Sequence, residues 1–258
     1  MGKKKKVLIL DVETNNKQQV FDIGLLVGDL YDNIYQQEQF IIKEVFNKQL
    51  FWEEKRPDYE KVINNPNHPA KLITVKTAFK ELENIIKKHE IKEVYAYNAS
   101  FDARTLNNLA QEFNCYNPIN DLEINCLWLW SALTILQQKT FKKWALKHNL
   151  LTEKGNYKTS AETVYSYIID KEDFEETHRG LEDCLIEYKI FLDCYKQRKK
   201  RVKGICYNPW LLVQEEEQIN KLPQQFRTMK LNLEQQLKDA RIVIQRLNKP
   251  VIPVVAEE

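Results

Sequence analysis

Apolar positions recur along this chain with two periods, and the shorter period dominates the first third. Val7–Leu10 is a brief β-branched apolar run. Val20–Leu30 and Asn33–Ile42 are further strand candidates, separated by the turn-like Tyr31-Asp32-Asn33. The pattern predicts a hairpin-rich sheet. Between Trp52 and Leu72, Pro57, Pro66 and Pro69 with Asn64, Asn65 and Asn67 predict a surface loop. Helical spacing then takes over: Phe79, Leu82, Ile85 and Ile86 predict a helix from about Val75. Glu93–Tyr97 predicts a buried strand, and Phe101–Phe113 a helix with Leu106, Leu109 and Phe113 on one face.

From Ile124 to Leu150 apolar and basic residues alternate at helical spacing, and Ser160–Ile169 opens with a cap-like Ser-x-Glu. Thr177 or His178 begins the last long helix of this part, which carries Ile186, Ile190 and Leu192 and runs to about Lys200. Strands first and alternating helices afterwards predict an α/β fold with a mixed sheet covered on both faces. The basic run Lys196–Lys203, followed by Gly204 and Pro209, places a boundary between a domain of residues 1–203 and a C-terminal extension of residues 204–258. In that extension Phe226, Met229, Leu233, Leu237, Ala240, Ile244 and Leu247 step by three and four, predicting an amphipathic helix over about 226–248 and an extended tail. This helical extension packs on the domain, engages a polymerase or another replication partner, or mediates self-association.

Composition bounds these readings. The 258 residues, 43% hydrophobic and 11% aromatic, suffice for one ordinary core and an appended helical segment. The formal charge of +2, from 39 basic and 37 acidic side chains, argues little about nucleic-acid binding, because distribution matters more than the sum. Lys3–Lys6 and Lys196–Lys203 are the runs that would meet phosphates, unless they are simply solvated. Five cysteines without a Cys-x-x-Cys pair point to reduced thiols rather than to zinc or a disulfide framework. The basic N-terminus runs into only four apolar residues before Asp11, unlike a signal peptide, and no stretch reaches about 18 apolar residues. The expectation is a cytoplasmic protein, bacterial or from a phage-infected cell, without a membrane span.

The chemistry-bearing residues fall in three segments. Asp11-Val12-Glu13 ends the first strand, and strand alternation puts both carboxylates on one face, about 6.5 Å apart along the backbone, where they can share a divalent ion. Asp102 lies in the first turn of the helix after the Glu93–Tyr97 strand, where the backbone dipole favours an acid in any case; Asn98 or Ser100 could cap that helix. His178 and Asp183 stand five residues apart, about 500° of helical rotation, so His178 would lean over a site from its rim. Glu182 is the nearest competing carboxylate.

The order and spacing of these segments over residues 6–198 resemble the DEDDh 3′-5′ exonuclease family, which includes the proofreading subunit of bacterial DNA polymerase III, RNase T and oligoribonuclease. Asp11-Val12-Glu13-Thr14 matches the first motif, Asn98-Ala-Ser-Phe101-Asp102 the second, and His178 with Asp183 the third, with Gly180 where the family usually has Ala. Phe21-Asp22-Ile23-Gly24 resembles the family's second strand. Asn15-Asn16 and Tyr97 depart from residues common in the family, which bears on substrate choice rather than on metal ligands.

The resemblance implies a ribonuclease H-like fold and a two-metal hydrolase using Mg²⁺ or Mn²⁺. Asp11 would bridge both ions, Glu13 and Asp183 would bind the ion holding the nucleophilic water, Asp102 would act on the second ion, and His178 would be the general base. Thr14, Asn15, Asn98 and Phe101 would contact the 3′-terminal nucleotide of single-stranded DNA or RNA. An oligoribonuclease or an RNA-end-trimming enzyme is the alternative with the same site. A non-catalytic nucleic-acid-binding or structural protein with an exonuclease-like fold is the alternative of another class.

Overall fold

The computed structural model describes residues 5–48, 53–197 and 204–247, the last nine of these as helix backbone only. Its strands are β1 (Lys6–Thr14), β2 (Val20–Asp29), β3 (Ile34–Ile42), β4 (Ala70–Ile73), β5 (Glu93–Ala96) and β6 (Glu123–Cys126). The helices are α1 (Lys43–Phe46), α2 (Arg56–Ile63), α3 (Val75–His89), α4 (Ala99–Glu112), α5 (Leu127–Ala132), α6 (Lys139–Lys147), α7 (Ala161–Ile169), α8 (Gly180–Lys196), α9 (Glu216–Asn220) and α10 (Gln224–Leu247).

The strands form one sheet in the order β4-β3-β2-β1-β5-β6. The first three pair antiparallel, whereas β4, β5 and β6 are parallel to their neighbours. All ten residues of β2 are buried, as expected of an inner strand covered on both faces. Alternation along β1 separates two cores. Leu8, Leu10 and Val12 join Phe79, Leu82, Leu106 and Leu109 of α3 and α4. Val7 and Ile9 join Trp130, Phe141, Ile190 and Phe191 on the opposite face. Asp11 and Glu13 continue the parity of Val7 and Ile9, so they emerge on the face covered by α8.

The proline-rich segment is more ordered than its composition predicts. Pro57 stands in the first turn of α2, where its missing N–H costs nothing, and Tyr59 anchors that helix at 1% exposure. Ala70–Ile73 then joins the sheet beside β3. The stretch from Ile124 is likewise not a single helix: it opens in edge strand β6 and breaks into α5, a 3-10 turn over Ile135–Gln137, and α6. A short apolar run does not distinguish a strand from a helix until a neighbouring strand accepts it. The last long helix begins at Gly180, because His178 takes a left-handed φ of 53° and Arg179 is extended.

The chain divides into two compact units, Met1–Val213 and Gln214–Glu258. In the second unit α9 carries a reciprocal capping box between Glu215 and Gln218, and α10 follows over Gln224–Leu247. The expected tail after residue 247, Lys3 and Lys4, and most of the basic run Lys196–Lys203 lie outside the described residues. Among the described residues no helix is long and apolar enough to cross a membrane.

Candidate active site

The end of β1 is held by a register that sets its acids against β2: Asp11 faces Gly24 and Glu13 faces Asp22. Asp102 arrives from β5 through Asn98, whose left-handed φ of 64° turns the chain abruptly into α4. Asn98 occupies the N-cap position without making a side-chain cap, and the Ser100 hydroxyl donates to Asn98 Oδ1 at 3.1 Å, so neither residue caps as the sequence predicts. The third segment needs close backbone contact. A Cβ on Gly24 would lie 2.0 Å from the carbonyl carbon and oxygen of Gly180, so only glycine lets the start of α8 rest on β2. The Gly180 N–H donates to Asp22 Oδ2 at 2.9 Å and completes the contact. Asp183 thereby reaches the ends of β1 and α4 from the first turn of α8.

His178 lies on the rim with its side chain 44% exposed, and its Nδ1 is 3.8 Å from Glu13 Oε1. Its carbonyl accepts from the Tyr59 hydroxyl at 2.9 Å, and Lys55 Nζ donates to the neighbouring Thr177 carbonyl at 2.9 Å. Ligand atoms of Glu13, His178 and Asp183 all lie within 4.8 Å of one another. Glu182 pairs instead with Arg179 at 2.7 Å.

Burial and mutual repulsion disfavour the ionised form of these carboxyls unless a cation offsets them. Burial raises the Asp11 carboxyl well above its ordinary range, and Glu187, Asp183, Glu13 and Asp102 add to the shift. Burial and then Asp22 push Glu13 up to about 8; burial and then Glu176 push Asp183 up to about 9. Asp102 is raised by burial, against the lowering effect of its own and the Val12 backbone N–H groups. Asp11 Oδ2, Asp102 Oδ2, Asp183 Oδ1 and Glu187 Oε2 are buried with no protein partner. Buried carboxylates are ordinarily paired or bound to metal. Hard divalent cations such as Mg²⁺ or Mn²⁺ suit this all-oxygen donor set with one imidazole beside it.

The acids open onto a cleft of about 420 Å³, whose walls include Tyr97, Asn98, Phe101, Trp128 and Ser160. Asp11, Glu13, Asp183, His178, Asn98 and Phe101 thus share one cleft, with Asp102 buried at 3% exposure behind it. Thr14 ends β1 beyond a register shift. The Asn15 side chain is spent locally, its Oδ1 accepting from the Lys17 and Gln19 N–H groups at 2.9 Å each.

Sequence reasoning assigned no role to Glu187, Glu176, Tyr59 and Trp128, and it named Asp22 only within a strand and Tyr97 only as a departure from the family. Glu187 was detectable, since it follows Asp183 by one helical turn on the same face. Trp128 stacks beside Tyr97 with ring centres 6.2 Å apart, and its indole N–H donates to Thr159 Oγ1 at 3.0 Å. Only the fold brings them together.

No protein-family model matches the sequence, and no curated protein is similar to it. Solved structures are similar in fold. The nuclease domain of 3′hExo, described as a DEDDh family member bound to rAMP, aligns with a TM-score of 0.52 at 10% identity over 79% of this chain and 98% of that one. A 3′-exonuclease described in 3′-end-specific recognition of a histone mRNA stem-loop aligns with a TM-score of 0.51 at 10% identity, over 81% and 90%. Cell-death related nuclease 4 aligns with a TM-score of 0.50 at 14% identity, over 81% and 70%. The six-stranded mixed sheet, three antiparallel strands followed by helix-flanked parallel ones, is a DEDD exonuclease-like fold.

Proposed function

We propose that this protein is a metal-dependent 3′-5′ exonuclease that removes nucleoside 5′-monophosphates from the 3′ end of single-stranded DNA or RNA. The observation that carries the reading is the convergence of Asp11, Glu13 and Asp183 with His178 in one open cleft, where oxygens of Asp11 and Asp183, like one of the buried Asp102, have no protein partner. These four carboxylates would hold two divalent ions. Such ions, when bound, neutralise the developing phosphoryl charge and lower the pKa of the attacking water.

His178 serves as the base that takes the proton from that water. Burial and then the Lys55 ammonium lower its pKa below the ordinary 6.5, which keeps the imidazole neutral and able to accept a proton near neutrality. Oxygen from water bonds to the last phosphorus, the bond to the penultimate 3′ oxygen breaks, and that oxygen is protonated as the mononucleotide leaves. Phe101 on the cleft wall stacks on a base at a typical ~1–3 kcal/mol, a contact indifferent to sequence.

Digestion of end-labelled single-stranded DNA, single-stranded RNA, duplex and dinucleotide substrates with Mn²⁺ tests the reading and ranks the substrates. The expected result is a one-nucleotide ladder receding from the 3′ end, nearly abolished by Asp11→Asn. Undiminished degradation by both Asp11→Asn and His178→Ala would overturn it.

A further inference from the structure

Glu187 lies one turn after Asp183 on α8, is 3% exposed, and lines the same cleft. Its two oxygens differ in surroundings. Oε1 accepts the Tyr97 N–H at 3.0 Å, at the junction that leads through Asn98 into α4 and Asp102. Oε2 is buried and has no protein partner. The charged groups around Glu187 are Asp102, Asp183 and Glu176, and it is in turn the strongest charged neighbour of Asp11.

We propose that Glu187 is a fifth metal-ligating carboxylate, which offers its free oxygen to a divalent ion held with the neighbouring acids while its other oxygen fixes the Tyr97 backbone. The inference rests on the nuclease reading, because it needs the same ions. Two features favour it over a purely structural role. Holding one backbone N–H requires one neutral oxygen, which glutamine supplies without placing another charge among buried acids. The second oxygen is also left buried without a protein partner in the cleft that Asp11, Glu13 and Asp183 line. A bound cation would satisfy that oxygen, as a buried carboxylate ordinarily requires.

Glu187→Gln separates the roles because it preserves the acceptor for Tyr97 and removes only the charge. Mn²⁺ titration followed by calorimetry and by the electron-spin resonance of free Mn²⁺, on the full chain, should show one of two binding events weakened by roughly 10- to 100-fold. Without metal the variant should melt no lower than the unsubstituted protein, and Mn²⁺ should raise its midpoint less. Unchanged Mn²⁺ affinity would overturn the proposal, and a lower metal-free midpoint with unchanged affinity would assign Glu187 a structural role instead. Absence of Mn²⁺ binding by the unsubstituted protein would remove the nuclease reading itself, a result distinct from either.

Discussion

The Tyr59 hydroxyl stands 2.9 Å from the backbone carbonyl of His178 and 3.0 Å from Asp22 Oδ2, linking α2 to the rim of the cleft across 119 residues of sequence. Asp22 Oδ2 also accepts from Gln39 Nε2 at 2.7 Å and from the Gly180 N–H. Tyr59 and Asp22 therefore grip the residues on both sides of Arg179, where the chain leaves its left-handed turn for the helix. Tyr59→Phe should lower kcat by about 10- to 100-fold through misplacement of His178, with KM and Mn²⁺ affinity little changed. Its stability cost should be about 1–3 kcal/mol, the usual consequence of orphaning a buried polar group. Steady-state kinetics beside Mn²⁺ titration check this, and a matching loss of metal affinity would count against a positioning role.

Gly24→Ala should be among the most damaging substitutions outside the acids. Its methyl group would lie 2.0 Å from backbone atoms of Gly180, which cannot move without lifting α8 and Asp183 off the sheet. The expected cost is about 3 kcal/mol or more, lowering the thermal midpoint by roughly 6–12 °C. Gly180→Ala should follow in milder form, since its Cβ would meet the Gly24 nitrogen at 2.6 Å. A variant of Gly24 with unchanged melting and activity would refute the close-packing account.

The candidate metal-binding acids were readable because three ordered motifs resemble a known family, while local rules alone left each of them ambiguous. Strand alternation after Val7–Leu10 only puts Asp11 and Glu13 on one face, and a helix's first turn favours an acid such as Asp102 in any case. Their supports were not readable, because nothing local ties Asp22 to Gly180, or Tyr59 to His178. Those pairs exist only once β2, α2 and α8 are packed. Tyr59 was further hidden in a proline-rich stretch that reads as loop, yet folds as a helix with Pro57 in its first turn. Gly180, a departure from the residue usual in the resembling family, makes sense beside Gly24: in this chain two backbones share the space that a Cβ would fill.

The raised carboxyls make metal-free stability depend on pH with a definite sign. Glu13 moves from an ordinary 4.5 to about 8 and Asp183 from 3.8 to about 9, so the folded state holds more protons than the unfolded state throughout that interval. Their contribution to stability then falls as pH rises from about 4 to about 9. Calorimetric melting in EDTA should trace this decline, and saturating Mg²⁺ or Mn²⁺ should flatten it by replacing the protons with a bound cation. A metal-free midpoint that climbs across the same range would contradict the electrostatic picture of the cluster.

Lys55 and His178 variants together test His178 as the base. The Lys55 ammonium lowers the pKa of both His178 and Glu13, so the acid limb of kcat/KM should lie below the 6.5 of an ordinary histidine under saturating metal. Lys55→Ala removes that positive charge, which favours the imidazolium and moves the limb to higher pH while the plateau changes less. His178→Asn should lower the plateau by about 10²–10⁴-fold and abolish the limb belonging to the base. The pH–rate profiles of the three proteins check both expectations together. A limb that moves down on loss of Lys55 would contradict the charge effect of that ammonium, and one that survives unchanged in His178→Asn would mean that another group takes the proton.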